Sequence, residues 1–142
     1  MAFSKIFAVQ NSGLKAHIID IEVDLSRGLH SFNIVGLPDK AVEESRDRVS
    51  SAVKNSGFKS PKQSSQKVVI SLAPADLKKE GPLFDVPIAL SYLLASGELE
   101  ADIEKRLFLG ELSLDGNVRP TTGVLPLVQK ALFEGFKEIF VP

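Results

Sequence analysis

Residues that could take part in catalysis are concentrated in a loop near the middle of the chain, at positions 73–85. Four of them stand out by their type: Lys79, Gly81, Pro82 and Asp85. A strand-like run precedes this loop and a long apolar segment follows it, and catalytic groups often lie on loops held in this way. Asp85 could act as a catalytic acid, but it directly precedes a helical pattern with Pro87 in the first turn, which is typical of an N-cap. We therefore expect Asp85 to cap that helix and the loop to be structural.

Other familiar kinds of catalytic or metal site are not indicated. The chain contains no cysteine, and its two histidines, His17 and His30, lack the spacing of metal ligands. Asp20, Glu22 and Asp24 alternate along one strand and share a face, but no further oxygen ligand is placed to complete a shell, so a solvated strand face is the preferred interpretation. The sequence contains no Gly-x-x-x-x-Gly-Lys-Ser/Thr loop, so we predict no nucleotide bound in the P-loop manner. Since no set of metal ligands is indicated either, we predict no cofactor and no metal in this chain.

One polar, basic segment is a candidate for contact with phosphates. It carries Lys59, Lys62 and Lys67, and Arg46 and Arg48 of the preceding helix are expected nearby. Lysine and arginine bind the phosphate backbone of nucleic acids. However, no aromatic residue is interleaved for base stacking, and the net charge of the chain is −1. A solvated loop is therefore preferred, and weak, sequence-independent contact with DNA is the alternative.

The elements that must position these residues predict an α+β domain. A length of 142 residues, with 44% apolar and 25% charged residues, suits one globular domain. Alternation in the second strand predicts that Ile19, Ile21, Val23 and Leu25 share a buried face. The predicted elements are the strands Ser4–Val9, Ala16–Leu25 and His30–Val35, a helix capped by Asp39 and ending near Asn55, the strand Lys67–Leu72, the helix Val86–Leu94, a hairpin of Leu107–Leu114 and Asn117–Arg119, the helix Gly123–Glu134 and the strand Glu138–Val141.

This order of elements predicts a mixed β-sheet with helices mainly on one face. The run Val68–Leu72 is apolar on both faces apart from Ser71, so this strand is expected to be central. Asp115 and Gly116 predict the tight turn of the hairpin. The inward face of the last helix is predicted to consist of Leu125, Val128, Ala131 and Leu132.

Part of the central loop resembles the Lon-type peptidase domain. The run from Lys79 to Pro82 is similar to the Lys-Asp-Gly-Pro-Ser loop of that domain, whose serine is the nucleophile, and Leu83 holds the corresponding position. The run from Gly110 to Pro120 resembles the segment before the catalytic lysine, whose position here is Leu125. The resemblance implies the Lon-peptidase-like fold, shared with the second domain of a ribosomal small-subunit protein. Since leucine offers neither a nucleophile nor a base, we expect no peptidase activity and a closed contact between Leu83 and Leu125.

Longer motifs along the whole chain are similar to the N-terminal region of the ComM/YifB family, the magnesium-chelatase-related ATPases of bacteria. They are the run Gly36–Val49, Ser56-Gly57-Phe58, Leu72–Leu77 and Phe84–Leu90. The resemblance implies that residues 1–142 are a Lon-protease-like N-terminal domain followed by an AAA+ module. Because the chain stops after a strand expected to be buried, we expect the domain to be truncated at its C-terminal end. ATP and Mg are expected only in the absent module.

The resemblance also implies partners and a location. The expected partners are the parent's own AAA+ module and sister subunits in a hexamer, with DNA as an alternative. We expect a cytoplasmic bacterial protein without membrane contact, because the sequence contains neither a signal peptide nor a long apolar run.

The preferred function is a non-catalytic domain for assembly or for DNA or partner engagement, in a motor linked to DNA processing and natural transformation. A Lon-like peptidase is disfavoured by Leu83 and Leu125. A small-molecule kinase of related fold is disfavoured because the run Gly81–Phe84 provides no glycine-rich cradle for phosphates.

Overall fold

A computed structural model describes residues 2–142, and its largest element is a six-stranded mixed sheet. The elements are β1 (Ala2–Ser12), β2 (Lys15–Arg27), β3 (Ser31–Val35), α1 (Lys40–Asn55), β4 (Gln66–Ala73), a 3₁₀ turn (Pro82–Phe84), α2 (Asp85–Ser96), β5 (Arg106–Phe108), β6 (Glu111–Leu112), β7 (Val118–Arg119), α3 (Val124–Phe133) and β8 (Glu138–Phe140). The sheet order is β3-β4-β2-β1-β5-β8, and β6 and β7 form a separate two-stranded sheet. The predicted α+β class and mixed sheet are confirmed.

The main core lies between one face of the sheet and the helices α1 and α2. As the alternation predicts, the β2 residues of this face are buried: Ile19, Ile21, Val23 and Leu25. Every second residue of β1 and β4 points to the same side, because side chains alternate across a strand. Burying each of these large aliphatic side chains contributes about 1.5–3 kcal/mol. The prediction that β4 is interior is confirmed, although its other face is partly open at Val69.

The helix α1 begins and packs as its sequence predicts. Asp39 is the N-cap, and its Oδ1 accepts a hydrogen bond from the Val42 N–H at 2.8 Å. The buried residues of the helix repeat at spacings of three and four: Val42, Ser45, Val49, Ala52 and Val53. One stripe of α1 therefore faces α2 and the sheet.

The third helix packs on the opposite face of the sheet. The β1 residues Phe7 and Val9 alternate with those of the main core, and Val9 belongs to a second cluster around Leu127 and Ala131 of α3. The inward face predicted for this helix is wrong at Leu125 and at Leu132, which are exposed. The helix is apolar on nearly every side, so its sequence does not define a unique buried stripe.

The predicted long strand Leu107–Leu114 is divided in two at Gly110. The Gly110 N–H donates to the Leu83 carbonyl at 2.9 Å, and its own carbonyl accepts from the Val86 N–H at 3.0 Å. These bonds hold Gly110 against the start of α2, so β5 remains in the main sheet while β6 pairs only with β7. None of the helices within residues 2–142 has the length and apolar character needed to cross a membrane.

Candidate functional site

The Asp85 carboxylate is buried where α1, α2 and β6 meet, and four donors satisfy it. Its Oδ1 accepts from Ser45 Oγ at 2.5 Å and from Arg48 Nη2 at 3.1 Å. Its Oδ2 accepts from Arg48 Nε at 2.7 Å and from the Leu112 N–H at 3.1 Å. A two-pronged arginine–carboxylate pair of this kind is among the strong hydrogen-bonded interactions in proteins. Asp85 therefore joins three elements and has no position left for a substrate.

The predicted N-cap role of Asp85 is wrong. Phe84 occupies the N-cap of α2, and Asp85 is the first residue of the helix, where its carboxylate bonds to Ser45, Arg48 and the Leu112 N–H. Ser45 and Arg48 lie three residues apart on α1 and so present a hydroxyl and a guanidinium on one face. The Arg48 guanidinium pairs with the Asp85 carboxylate, which still lies favourably near the positive end of the α2 dipole.

Arg48 is also not the exposed phosphate contact that its place in the sequence predicts. Besides Asp85, its Nη2 donates to the Ala41 carbonyl at 2.7 Å. The hydrogen bond with Asp85 raises the pKa of Arg48 above its ordinary value, so the guanidinium stays charged. The position of Ser45 in the buried stripe of α1 could have indicated this polar cluster from the sequence, because a buried hydroxyl needs a polar neighbour within reach. Arg46, in contrast, is exposed and donates to the carbonyls of Glu43 and Phe32.

Lys79 is fully buried and binds backbone oxygens rather than a substrate. Its Nζ donates to the Gly36 carbonyl at 2.7 Å and to the Pro74 carbonyl. Burial lowers the pKa of Lys79 below its ordinary value. Only glycine fits at position 36, because a Cβ there would lie 2.0 Å from the Leu72 carbonyl oxygen. Gly36 therefore packs closely against Leu72, and its carbonyl lies within hydrogen-bonding distance of Lys79 Nζ.

Further hydrogen bonds fix the loop on both sides of Lys79. The Gln10 side chain donates to the Lys78 carbonyl at 2.7 Å and accepts from the Glu80 N–H at 2.9 Å. The Gly81 N–H donates to Asp39 Oδ2 at 3.2 Å. Pro82 then opens the 3₁₀ turn that leads into α2. The polar groups of this loop hold the backbone in one position, and sequence reasoning did not single out Gln10.

Leu83 and Leu125, which the resemblance to Lon aligned with a dyad, do not form the closed contact that we expected. Leu83 is half-buried in the second core cluster, but Leu125 is 68% exposed. Leu127, two residues farther along α3, lies on the buried side instead. A cavity of about 330 Å³ adjoins Leu83 and Leu127, and Thr121 and Thr122 contribute the hydroxyls of its lining. No histidine, lysine or arginine lines this cavity to activate them.

The three lysines predicted as phosphate contacts are exposed. Lys59, Lys62 and Lys67 form no ion pair with any residue of the described range 2–142. Lys62 lines a shallow cavity together with Lys54 and three serines. Contact between these lysines and DNA stays a prediction.

An exposed apolar surface, here called the α3–β8 surface because α3 leads into β8, lies on the outer side of α3. Its residues are Leu125, Leu132 and Phe133. Phe140 of β8 is also exposed, but it stacks on Phe108 on the opposite face of the sheet. Leu132 is 70% and Phe133 85% exposed. Exposed apolar surfaces of this extent are typical of interaction sites. The sequence analysis assigned Leu125 and Leu132 to the core and so missed this surface.

Comparison with known proteins places these features in a family context. Residues 21–142 match the family described as subunit ChlI of Mg-chelatase. The competence protein ComM of Haemophilus influenzae is 42% identical over 132 residues, which cover 92% of this chain and 25% of ComM. The protein YifB of Escherichia coli is 41% identical over 140 residues, which cover 98% of this chain and 27% of YifB. An uncharacterised protein of Mycobacterium tuberculosis is 43% identical over 143 residues, which cover the whole chain and 28% of that protein. The chain thus spans about a quarter of the length of these relatives.

Proposed function

The chain belongs to the Mg-chelatase-related family of subunit ChlI, ComM and YifB, and we propose that it is a non-catalytic domain that contributes to assembly of a larger AAA+ ATPase. The match to the family and to these relatives confirms the family expected from the sequence motifs. In the proposal, ATP and Mg bind elsewhere in a longer parent protein, and sister subunits form a ring in the cytoplasm. The fold would correspond to the Lon-peptidase-like domain, with its chemistry lost.

A non-catalytic role is supported by how the polar residues of the family motifs are used. The carboxylate of Asp85 is bound by Ser45 and Arg48, and the amine of Lys79 is bound by backbone carbonyls. Each group already has its partners inside the fold, so none is available to take or give a proton. Leucine at position 83, where the Lon resemblance would place the nucleophile, supports the same conclusion for peptidase chemistry.

The single observation that carries the assembly role is the α3–β8 surface. Leu132 and Phe133 expose most of their side chains on α3, which packs on the sheet through Leu127 and Ala131. Large apolar side chains at this exposure are stabilised when another protein surface covers them. We propose that the rest of the parent protein or a sister subunit covers them.

The test places Leu132→Asp together with Phe133→Asp in the full-length parent. We expect a lower oligomeric state in sedimentation velocity and a lower rate of ATP hydrolysis per subunit. The matched control is Leu29→Asp, which changes an equally exposed leucine beside β3, at the opposite edge of the sheet. Unfolding of the isolated domain should be unaffected by the double change, and unchanged assembly and hydrolysis in the parent would overturn the proposal.

DNA engagement is a separate component of the proposal, supported by the exposed lysines and by the name of the relative ComM, a competence protein. Neutralising Lys59, Lys62 and Lys67 to glutamine should remove residual DNA binding by this domain and flatten its salt dependence. Lys15→Gln, Lys105→Gln and Lys137→Gln together serve as a control with the same change in charge. Equal loss of binding in both triple variants would show that net charge, not this segment, decides the contact.

A further inference from the structure

The part of α2 that solvent can reach is an apolar stripe. Eight of the twelve residues of this helix are buried, and the other four are Val86, Leu90, Leu94 and Ser96. The first three follow one another at a spacing of four, so they share one side of the helix and are here called the α2 stripe. A surface helix normally presents polar residues to water. The α2 stripe is therefore typical of a surface that another segment covers.

An apolar cavity of about 190 Å³ adjoins the α2 stripe. Val86 and Leu90 of the stripe line it, together with Phe58 after α1 and Val118 of β7. Val118 is itself 48% exposed. Among residues 2–142, none of those that line the cavity carries a charge. The cavity therefore suits an aliphatic or aromatic side chain of a covering segment.

The sheet is also partly uncovered on this face, at the edge formed by β8. The helices that pack on this face are α1 and α2, whereas α3 packs on the other. Phe108 of β5 packs against the main core and stacks on Phe140 of β8, with ring centroids 4.8 Å apart. Phe140 is nevertheless 45% exposed. The layer of helices within residues 2–142 thus leaves the apolar face of β8 open beside α2.

Pro142 lies where the α2 stripe and the cavity meet. A Cβ at Gly110 would lie 2.8 Å from Val86 Cγ2 and 3.6 Å from Pro142 Cγ. It would lie 3.1 Å from Val118 Cγ1. Val86 is the first residue of the stripe, and both valines line the cavity. A polypeptide that continues past Pro142 therefore leaves the domain beside the first residue of the stripe.

We propose that, in the longer parent protein, the segment that follows Pro142 runs along the α2 stripe as far as Leu94. One apolar side chain of this segment enters the cavity beside Val118, and others cover the stacked Phe108 and Phe140. A segment tethered at the start of the stripe has an effective concentration far above that of a separate protein, which favours it over other occupants.

This inference rests on the proposed function, because it requires a parent of the length of the relatives. The chain spans 25% of ComM and 27% of YifB. It does not depend on the α3–β8 surface, since α3 packs on the opposite face of the sheet.

Photo-cross-linking in the full-length parent tests the path of the segment. The probe is benzoylphenylalanine at position 94, which lies about 12 Å beyond Val86 along α2, so a segment that left for solvent at Pro142 would not reach it. We expect cross-links to roughly the first 20 residues after position 142, enough for a turn and a helical or extended run of this length. The same probe at position 69, where Val69 is exposed on the other face of β4, is the control and should not capture this segment.

Isotope labelling shows which chain provides the segment. Unlabelled and ¹⁵N-labelled parent are mixed in the dissociated state and reassembled before irradiation, because a cross-link within one chain never joins a labelled to an unlabelled peptide. Cross-links between the two labels, cross-links from position 94 to the ATPase module, or none to the segment after position 142 would overturn the inference. A parent that fails to assemble would still give the cross-link within one chain, so this outcome is distinguishable from failure of the proposed assembly role.

Limited proteolysis of the parent measures how firmly the segment is held. Leu90→Glu together with Leu94→Glu places two carboxylates under it, and we expect cleavage by proteinase K within the same stretch to become at least tenfold faster. The control is Val69→Glu on the other face of the sheet, which should leave the rate unchanged. An unchanged rate in the folded double variant would contradict the inference, and the cross-link at position 94 remains the deciding measurement if that variant unfolds.

Discussion

The helices α2 and α3 have similarly apolar sequences but very different environments. Eight of the twelve residues of α2 are buried, against two of the ten residues of α3. α2 lies between α1 and the sheet, whereas α3 covers only the part of the other face formed near β1 and β5. An apolar helix predicts that something covers it, and only the arrangement of neighbouring elements decides whether that cover belongs to the same domain.

The two regions also differ in how they use polar groups. The region around α2 contains a buried carboxylate and a buried lysine, each with several hydrogen-bond partners. In the α3 region, Lys130 and Glu134 pair at the surface, one turn apart. Exposed pairs of this kind contribute about 0.3–0.5 kcal/mol, so packing rather than charge decides the stability of α3.

The largest effect is expected at the centre of the α2 region. Asp85→Ala should lower the free energy of unfolding by about 3–5 kcal/mol, because it leaves a largely buried arginine without its carboxylate. Urea denaturation of the isolated domain measures this loss. The control is Asp20→Ala, which removes the exposed Lys5–Asp20 pair and should cost about 0–1 kcal/mol. A similar cost for both variants would contradict the central role of the buried pair.

The next effect compares one aliphatic side chain from each helix. Ile88→Ala in α2 should cost about 2–5 kcal/mol, since the side chain is fully buried and its removal leaves a cavity. Leu132→Ala in α3 should change the free energy of unfolding by less than about 0.5 kcal/mol in the isolated domain. Both values come from the same denaturation experiment. A large cost at Leu132 would show that α3 is covered within the domain after all.

The smallest expected effect is a pH dependence of the free energy of unfolding that arises from Lys79, in the region around α2. Burial lowers the pKa of Lys79 below 10.5, so between the lowered value and 10.5 the unfolded chain binds more protons than the folded one. Stability should therefore rise with pH in that window, relative to a Lys79→Met variant without this group. Denaturation at several pH values up to about 10.5 compares the two proteins with Lys78→Met, at an exposed neighbour, as control. If the difference in the free energy of unfolding between wild type and Lys79→Met did not change with pH, this prediction would be wrong.

Local patterns in the sequence were sufficient for much of the fold. Alternation identified β2, and the spacing of apolar residues together with Asp39 identified α1 and its start. These predictions succeeded because each depends on neighbours within a few residues. The division at Gly110 could not be predicted in the same way, because its cause is a pair of hydrogen bonds to the start of α2.

The polar residues show the same limit at the candidate site. The residue types identified Asp85 and Arg48 as important, but the sequence assigned one to a helix cap and the other to a phosphate contact. They are bonded to each other across 37 positions of the chain. A carboxylate near a helix start satisfies the cap pattern wherever its side chain turns, so the pattern alone could not distinguish the two roles.

The sequence by itself determined the class of fold and the family, because strand alternation and long motifs are properties of the chain. The tertiary structure decided which polar groups are occupied, which stripe of α3 is buried, and where the chain leaves the main sheet at Gly110. Those outcomes depend on contacts between residues far apart in the chain, and a side chain's partner is fixed only when the elements that carry both are packed together.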